Sequence, residues 1–242
     1  MRTTRPAADP LNLLRVIPAE GGTRMTRAAI VLAGGDPVEP GLRTLLPDGA
    51  VVVAADSGVH QGELLGLHVD YVVGDLDSAD PAAVERARAA GAVIERHRVD
   101  KDATDLELAF DVARDRGVQR ITVVGGAGGR LDHFLANVAL LGAARFADLE
   151  LDARLGDAYV VVAQGGRPPH EIAGAPGSLV TLIAVGGDAS GITTSGLLYP
   201  LQGGTLRPGT TRGVSNVLVG ERGSVVFDRG TLLVIQAFGG AL

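Results

Sequence analysis

Four acidic side chains stand where short apolar runs break off or a helix begins. Asp56 follows Ala50–Ala55, Asp75 and Asp77 follow Tyr71–Val73, and Asp105 opens a helical pattern. In extended chain, residues two apart project to the same side, so Asp75 and Asp77 point together. A few carboxylates, with water and phosphate oxygens completing the shell, are how Mg2+ is held in phosphoryl-transfer sites. Asp100, Asp102 and Asp105 crowd around Lys101, the sole lysine among 22 Lys and Arg residues. A compact ammonium retained in so arginine-rich a chain points to a place where a planar guanidinium would not fit. Aspartate is also a good turn former and helix N-cap, and Asp80 and Asp102 are read as caps.

A second constellation is Gly125-Gly126-Ala127-Gly128-Gly129-Arg130-Leu131-Asp132-His133, an apolar run, a glycine loop and a helical pattern in succession. Glycines let backbone N–H groups approach phosphate, and the helix start adds positive potential. The loop lacks the G-K-[ST] ending of a P-loop, and Leu131 stands where G-x-G-x-x-G needs its third glycine. Arg130 behind the loop can bind phosphate bidentately. His133 is read as a helix-cap or core histidine rather than a catalyst.

The elements that must position these groups alternate. Ala28–Ala33, Ala50–Ala55, Tyr71–Val73, Ala92–Glu95 and Arg120–Val124 are continuous apolar runs, as expected of parallel strands covered on both faces. Helical spacing predicts helices over Pro81–Ala90, Asp102–Arg116 and Leu131–Phe146, the last apolar nearly all round and so expected to be buried. Strand–helix alternation with short loops predicts an α/β fold with a doubly wound, mostly parallel sheet, whose ligands bind beyond the carboxyl ends of the strands. After Gly165 no helix is predicted. Ser178–Val185, Gly191–Ser195, Val214–Val219, Gly223–Phe227 and Thr231–Phe238 read as strands of a small antiparallel β-sandwich, with Asp228-Arg229-Gly230 as a hairpin turn. The expected organisation is a disordered tail over 1–25, an α/β nucleotide-binding catalytic domain over 26–165, and a β-sandwich domain over 166–242.

Composition excludes several function classes. The net charge of -6 without a basic stripe argues against nucleic acid or an anionic membrane as partner. Absence of cysteine removes disulfides, thiolate catalysis and Cys-ligated metals. No apolar run approaches the roughly 20 residues of a membrane span. Asn12 and Arg15 break the apolar stretch near the start, making it a poor signal-peptide core. A cytoplasmic location is expected.

Six segments in order resemble the thiamine pyrophosphokinase family: Ala55–Gly58, Val73–Ser78, Asp100–Asp105, Gly125–Asp132, Thr193–Tyr199 and Gly213–Asn216. The resemblance spans nearly everything after Met25. It implies an enzyme that moves a diphosphate from ATP to the hydroxyl of thiamine, a nucleotide-binding α/β domain, a β-sandwich, and a homodimer with active sites at the subunit interface. Mg2+ is expected at Asp75, Asp77 and Asp105, with Lys101 and Arg130 adding positive charge in catalysis. ATP contacts are expected at Asp56, Asp102, Thr104, Gly126, Gly129, Arg130 and Asp132, and thiamine contacts at Tyr199, Ser215 and Asn216. Members of that family carry tryptophan where Tyr199 stands; tyrosine can also stack on a flat cationic heterocycle. Two alternatives stand beside this reading: a pyrophosphokinase acting on another alcohol such as a hydroxymethyl pterin, and a non-catalytic nucleotide or thiamine sensor.

Overall fold

A computed structural model describes residues 27–241, with side chains described to Ala237. The tail expected over 1–25 lies outside the described residues. The chain divides into two compact units between Val162 and Ala163.

The first unit is built on β1 (Ala28–Ala33), β2 (Val51–Ala55), β3 (Tyr71–Gly74), β4 (Val93–Arg96), β5 (Arg120–Gly125), β6 (Glu150–Leu155) and β7 (Ala158–Gln164). The order across its sheet is β4-β3-β2-β1-β5-β6-β7. All neighbours are parallel except β6 and β7, which form an antiparallel pair with Leu155 opposite Ala158. β1 is central because its side chains can all be buried: Ala29 through Ala33 are at most 3% exposed. Successive strands run outward from β1 on one side as far as β4, and β5 returns to its other side. That reversal leaves a crevice at the carboxyl ends of β1 and β5.

Four helices connect the parallel strands: α1 (Val59–Leu65), α2 (Pro81–Ala89), α3 (Asp105–Asp115) and α4 (Leu131–Leu141). Asp80 caps α2, accepting a hydrogen bond from the Ala82 N–H. The start of α3 falls at Asp105 rather than Asp102, because Thr104 provides the cap: its hydroxyl accepts from the Glu107 N–H, the first half of a capping box. α3 buries Leu106, Ala109, Phe110, Val112 and Ala113 on one face, and Phe110 meets the Phe146 ring edge-on at 5.2 Å. A cap of this kind stabilises by about 1 kcal/mol.

The expectation of a buried helix over Leu131–Phe146 is corrected in two respects. α4 stops at Leu141, with a separate short turn over Ala144–Phe146, and of its residues only Leu140 and Leu141 are buried. Leu131 and Leu135, one turn apart, are 69% and 57% exposed. One stripe of its surface, through Leu131, Leu135 and Ala139, is therefore uncovered in a single chain.

Among the described residues, the strands of the second unit pair with one another antiparallel. β8 (His170–Ala173), β10 (Gly204–Leu206), β11 (Asn216–Val217), β12 (Arg222–Val226) and β13 (Arg229–Ala241) surround one long strand, β9 (Ser178–Ser195). β9 joins the two strands expected over Ser178–Val185 and Gly191–Ser195. Its first half pairs with β13 and its end pairs with β12, so it serves both layers. The expected hairpin at Asp228–Gly230 is not formed. β12 and β13 each pair with β9, and the chain between them crosses over instead of folding back.

Candidate active site

The carboxyl edge of the parallel sheet opens into a cavity of about 460 Å³. Its lining includes Asp56, Asp75, Asp77, Lys101, Thr104, Asp105, Gly126, Gly129 and Arg130. Asp102 and Asp132 are not among the lining residues.

Each acid is set by the end of an element. β2 ends at Ala55 and the chain turns at once into a short helical turn, Asp56–Gly58, that leads into α1. The turn holds Asp56 at φ 47°, a left-handed conformation unfavourable for a residue with a side chain. Past β3, Leu76 is likewise held at φ 63°, which places Asp75 and Asp77 on either side of a kink. Among the described residues only Ser215 shares this property outside glycine. All three lie within the segments that carry the family resemblance, and backbone strain of about 1–3 kcal/mol each persists where surrounding structure imposes it. Gly74 sits at φ 146°, and a Cβ there would stand 2.8 Å from Asp105 Oδ1. Glycine at this position lets the first residue of α3 reach the end of β3.

The acids are close. One carboxylate oxygen from each of Asp56, Asp75 and Asp77 lies within 4.8 Å of the others. Asp105 stands beside this group and is tied to it by Lys101, whose Nζ donates to Asp75 Oδ2 at 2.7 Å and forms an ion pair with Asp105 Oδ1 at 3.0 Å. The Asp77 N–H donates to Asp75 Oδ1 at 3.3 Å, and the Ser78 hydroxyl to Asp77 Oδ1 at 2.9 Å. Asp56 Oδ1 is buried without a hydrogen-bond partner.

This crowding moves the ionisation of its members apart. Burial, then the negative charge of Asp105, pushes Asp56 from 3.8 to about 6. The hydrogen bond from Lys101 holds Asp75 below the usual carboxylate range. Burial pulls the Lys101 ammonium down, but its bonds to Asp75 and Asp105 together keep it above the usual lysine value. Arg130 makes a bidentate pair with Asp132 at 3.1 and 2.6 Å, which lowers Asp132 to about 2. Asp132 therefore orients Arg130 at the mouth of the cavity.

Ser78, His133 and Asn137 also line the cavity. Sequence reasoning set His133 aside and missed the other two. Asn137 lies two turns into α4 on the side of the glycine loop, where it donates to the Gly126 carbonyl at 3.4 Å. Its position seven residues beyond Arg130 was the available signal, since i and i+7 share a helix face.

In the second unit, Tyr199 is 66% exposed, Ser215 is exposed and Asn216 is buried. The Ser215 N–H donates to Thr181 Oγ1 at 3.0 Å. Asn216 Oδ1 accepts from the N–H groups of Tyr199 and Val217, and its Nδ2 donates to the Tyr199 carbonyl.

A carboxylate cluster facing a glycine loop across the switch point of a parallel sheet is an arrangement suited to a phosphorylated ligand and a hard cation. Residues 42–153 match the family model described as thiamin pyrophosphokinase, catalytic domain, and residues 169–232 match thiamin pyrophosphokinase, vitamin B1 binding domain. The chain is 27% identical over 209 residues to thiamine pyrophosphokinase of Bacillus subtilis, covering 86% of this chain and 97% of that one. The crystal structure of thiamine pyrophosphokinase from Bacillus subtilis superposes with a TM-score of 0.76 at 25% identity, over 88% of this chain and 100% of that one. That of thiamin pyrophosphokinase from Geobacillus thermodenitrificans gives 0.73 at 26%, over 89% and 100%. The chain belongs to the thiamin pyrophosphokinase family.

Proposed function

We propose that this enzyme transfers the diphosphoryl group of ATP to the hydroxyl of thiamine, giving AMP and thiamine diphosphate. The hydroxyl oxygen bonds to the β-phosphorus as the bond from that phosphorus to the α-phosphate oxygen breaks, and the hydroxyl proton is released. The observation that carries this reading is the convergence of Asp56, Asp75, Asp77, Lys101 and Asp105 on one cavity opposite Gly126, Gly129 and Arg130.

The donor set fits a hard divalent cation: three carboxylates contribute oxygens within 4.8 Å, and Asp56 Oδ1 is buried with no protein partner. Asp75 and Asp77 would hold Mg2+, joined by Asp56 and, once Lys101 moves from between them, Asp105. When bound, Mg2+ neutralises phosphate oxygens and so favours attack by a neutral alcohol. The chain's own residues do the rest. Backbone N–H groups of the glycine loop and the Arg130 guanidinium bind phosphate oxygens. Lys101 supplies a compact charge that can pass from Asp75 to the phosphates. Asp102, Thr104 and Asp132 support the nucleotide from the rim; the Thr104 hydroxyl is already engaged in capping α3. Tyr199, with Ser215 beside it, presents the face on which the thiamine ring stacks.

The enzyme works as a homodimer with active sites at the subunit interface. Supporting this are two uncovered apolar surfaces, Leu131 and Leu135 on α4, and Leu198, Tyr199, Val214 and Val219 in the second unit. Among the described residues no helix is long and apolar enough to cross a membrane. The net charge of -6 without a basic stripe supports an enzyme of small molecules rather than of nucleic acid or anionic membranes, acting in the cytoplasm.

The direct test incubates purified protein with thiamine, ATP and Mg2+ and looks for AMP and thiamine diphosphate in equal amounts. ADP in place of AMP, or no turnover with thiamine but turnover with a pterin alcohol, would refute the assignment. Addition of EDTA should stop the reaction, and excess Mg2+ should restore it.

A further inference from the structure

Both backbone polar groups of Tyr199 end on one side chain. Asn216 Oδ1 accepts from the Tyr199 N–H at 3.0 Å, and Asn216 Nδ2 donates to the Tyr199 carbonyl at 2.7 Å. The same Oδ1 accepts from the Val217 N–H at 2.9 Å, so both of its lone pairs are used. One amide hydrogen of Nδ2 is left over. The carboxamide acts as a short piece of strand, pairing with a residue 17 positions away.

The loop that carries Tyr199 is otherwise held only at its base and flank. At the base, Thr194 exchanges hydrogen bonds with Leu201 through both its N–H and its hydroxyl, and the Thr193 hydroxyl accepts from the Gly203 N–H at 3.2 Å. Gly196, at φ 67°, lets the loop pass against the Arg222 carbonyl, and the Leu198 N–H donates to Val217 at 2.9 Å. At the tip Leu198 and Tyr199 are 53% and 66% exposed, and Pro200 has no N–H to offer. Within the single chain the Tyr199 side chain is thus mostly uncovered. Asn216, by contrast, is 8% exposed and anchored by β11 pairing with Val180.

We infer that Asn216 is a positioning residue: it sets how Tyr199 is presented to thiamine by fixing the Tyr199 backbone, and does not bind thiamine itself. This rests on the reading that Tyr199 faces thiamine. An aspartate at 216 would keep the acceptor contacts but set a carboxylate oxygen against the Tyr199 carbonyl, so this isostere should not replace the amide.

The test has two parts. In the unaltered protein, hydrogen exchange of the Tyr199 amide should be slowed at least about tenfold relative to an unstructured peptide, although its side chain is exposed. Exchange at the free rate overturns the clasp, and this measurement stands whether or not any variant folds. Steady-state kinetics are then taken for Asn216→Asp, Tyr199→Ala and the double variant. Asn216→Asp should raise the KM for thiamine about tenfold with the KM for ATP unchanged. In the Tyr199→Ala background the same change should alter it by less than about twofold, because the route of action is gone. An equal factor in both backgrounds means direct contact with thiamine and overturns the inference, as does no effect in either. If Tyr199→Ala alone leaves the KM for thiamine unchanged, the thiamine reading of this loop fails, an outcome distinct from failure of the clasp.

Discussion

Lys101 holds its ammonium 2.7 Å from Asp75 Oδ2 and 3.0 Å from Asp105 Oδ1, so one cation bridges the end of β3 and the start of α3. All three side chains are largely sequestered, at 15%, 11% and 23% exposure. A charge pair in this setting is screened less than one on the surface, and removing one partner leaves the other uncompensated. In the absence of metal, Lys101 is the cation of the acid cluster.

Lys101→Met should therefore lower the stability of metal-free protein by about 1–3 kcal/mol, since two acids lose their counter-charge while remaining partly solvated. It should also lower kcat by about a hundredfold or more through loss of charge at the phosphates. Lys101→Arg should restore stability better than activity, because a planar fork cannot occupy a gap bounded at 2.7 and 3.0 Å in the same way. Thermal melts in EDTA and initial rates in Mg2+ separate the two effects.

Asp75→Asn should abolish AMP formation while leaving the circular dichroism spectrum that of a folded protein; melting in EDTA should fall somewhat, because Lys101 keeps only Asp105 as its partner. An active Asp75→Asn enzyme would remove the metal role from this residue.

The pH dependence of metal-free stability should carry the mark of Asp56. Its folded value is raised from 3.8 to about 6, so between those values the folded protein keeps a proton the unfolded chain has released. Stability then falls as pH rises through that window and levels off above it. Asp75, lowered by Lys101, acts in the opposite sense: its stabilisation is present above the ordinary carboxylate value and is lost as pH drops through its lower folded value. Asp56→Asn should remove the fall and raise stability at pH 7 by on the order of 2–3 kcal/mol in EDTA. Asparagine also tolerates the left-handed backbone at this position. Denaturant titrations at pH 4, 5, 6 and 7 read the slope.

Gly74→Ala should be damaging in two ways at once. The added Cβ meets Asp105 Oδ1 at 2.8 Å, and the backbone at φ 146° is closed to alanine. A loss of about 2–4 kcal/mol is expected, with a rate defect beyond what stability explains because Asp105 is pushed from the end of β3.

Leu135→Glu on the uncovered stripe of α4 should convert the proposed dimer to monomers in light scattering and reduce activity, with little change in the melting of the α/β unit itself. Retention of the dimer would move the interface elsewhere.

The acid cluster was legible because element ends and residue types select it: Asp75 and Asp77 follow an apolar run whose direction is fixed by parallel pairing, and Asp105 opens the helix after the next one. The close approach of Asp56 to Asp75 and Asp77 was less so, since it depends on a left-handed turn that aspartate rarely adopts. β6 and β7 were missed, although Gly156-Asp157 between an alternating run and an apolar one is a recognised hairpin signal. α4 misled because an apolar helix reads as buried whatever covers it, and the cover need not belong to the same chain. The hairpin at Asp228–Gly230 misled because turn chemistry fixes a reversal or crossing but not which strands then pair. The clasp of Asn216 on Tyr199 was invisible, as nothing in residue type distinguishes an amide that binds a ligand from one that binds backbone.

The long strand β9 has a consequence for how the protein comes into being. Its partners arrive late: Thr231 to Gln236 of β13 lie opposite Val185 to Val180, and β12 meets its far end. The α/β unit, by contrast, has its central parallel pairs complete once Leu155 has been made. During synthesis the sheet that gathers the carboxylates can form while β9 waits for the final stretch of chain. A nascent chain cut a dozen residues short would thus hold the acid cavity but leave β9 with an open edge, prone to pair with a neighbour.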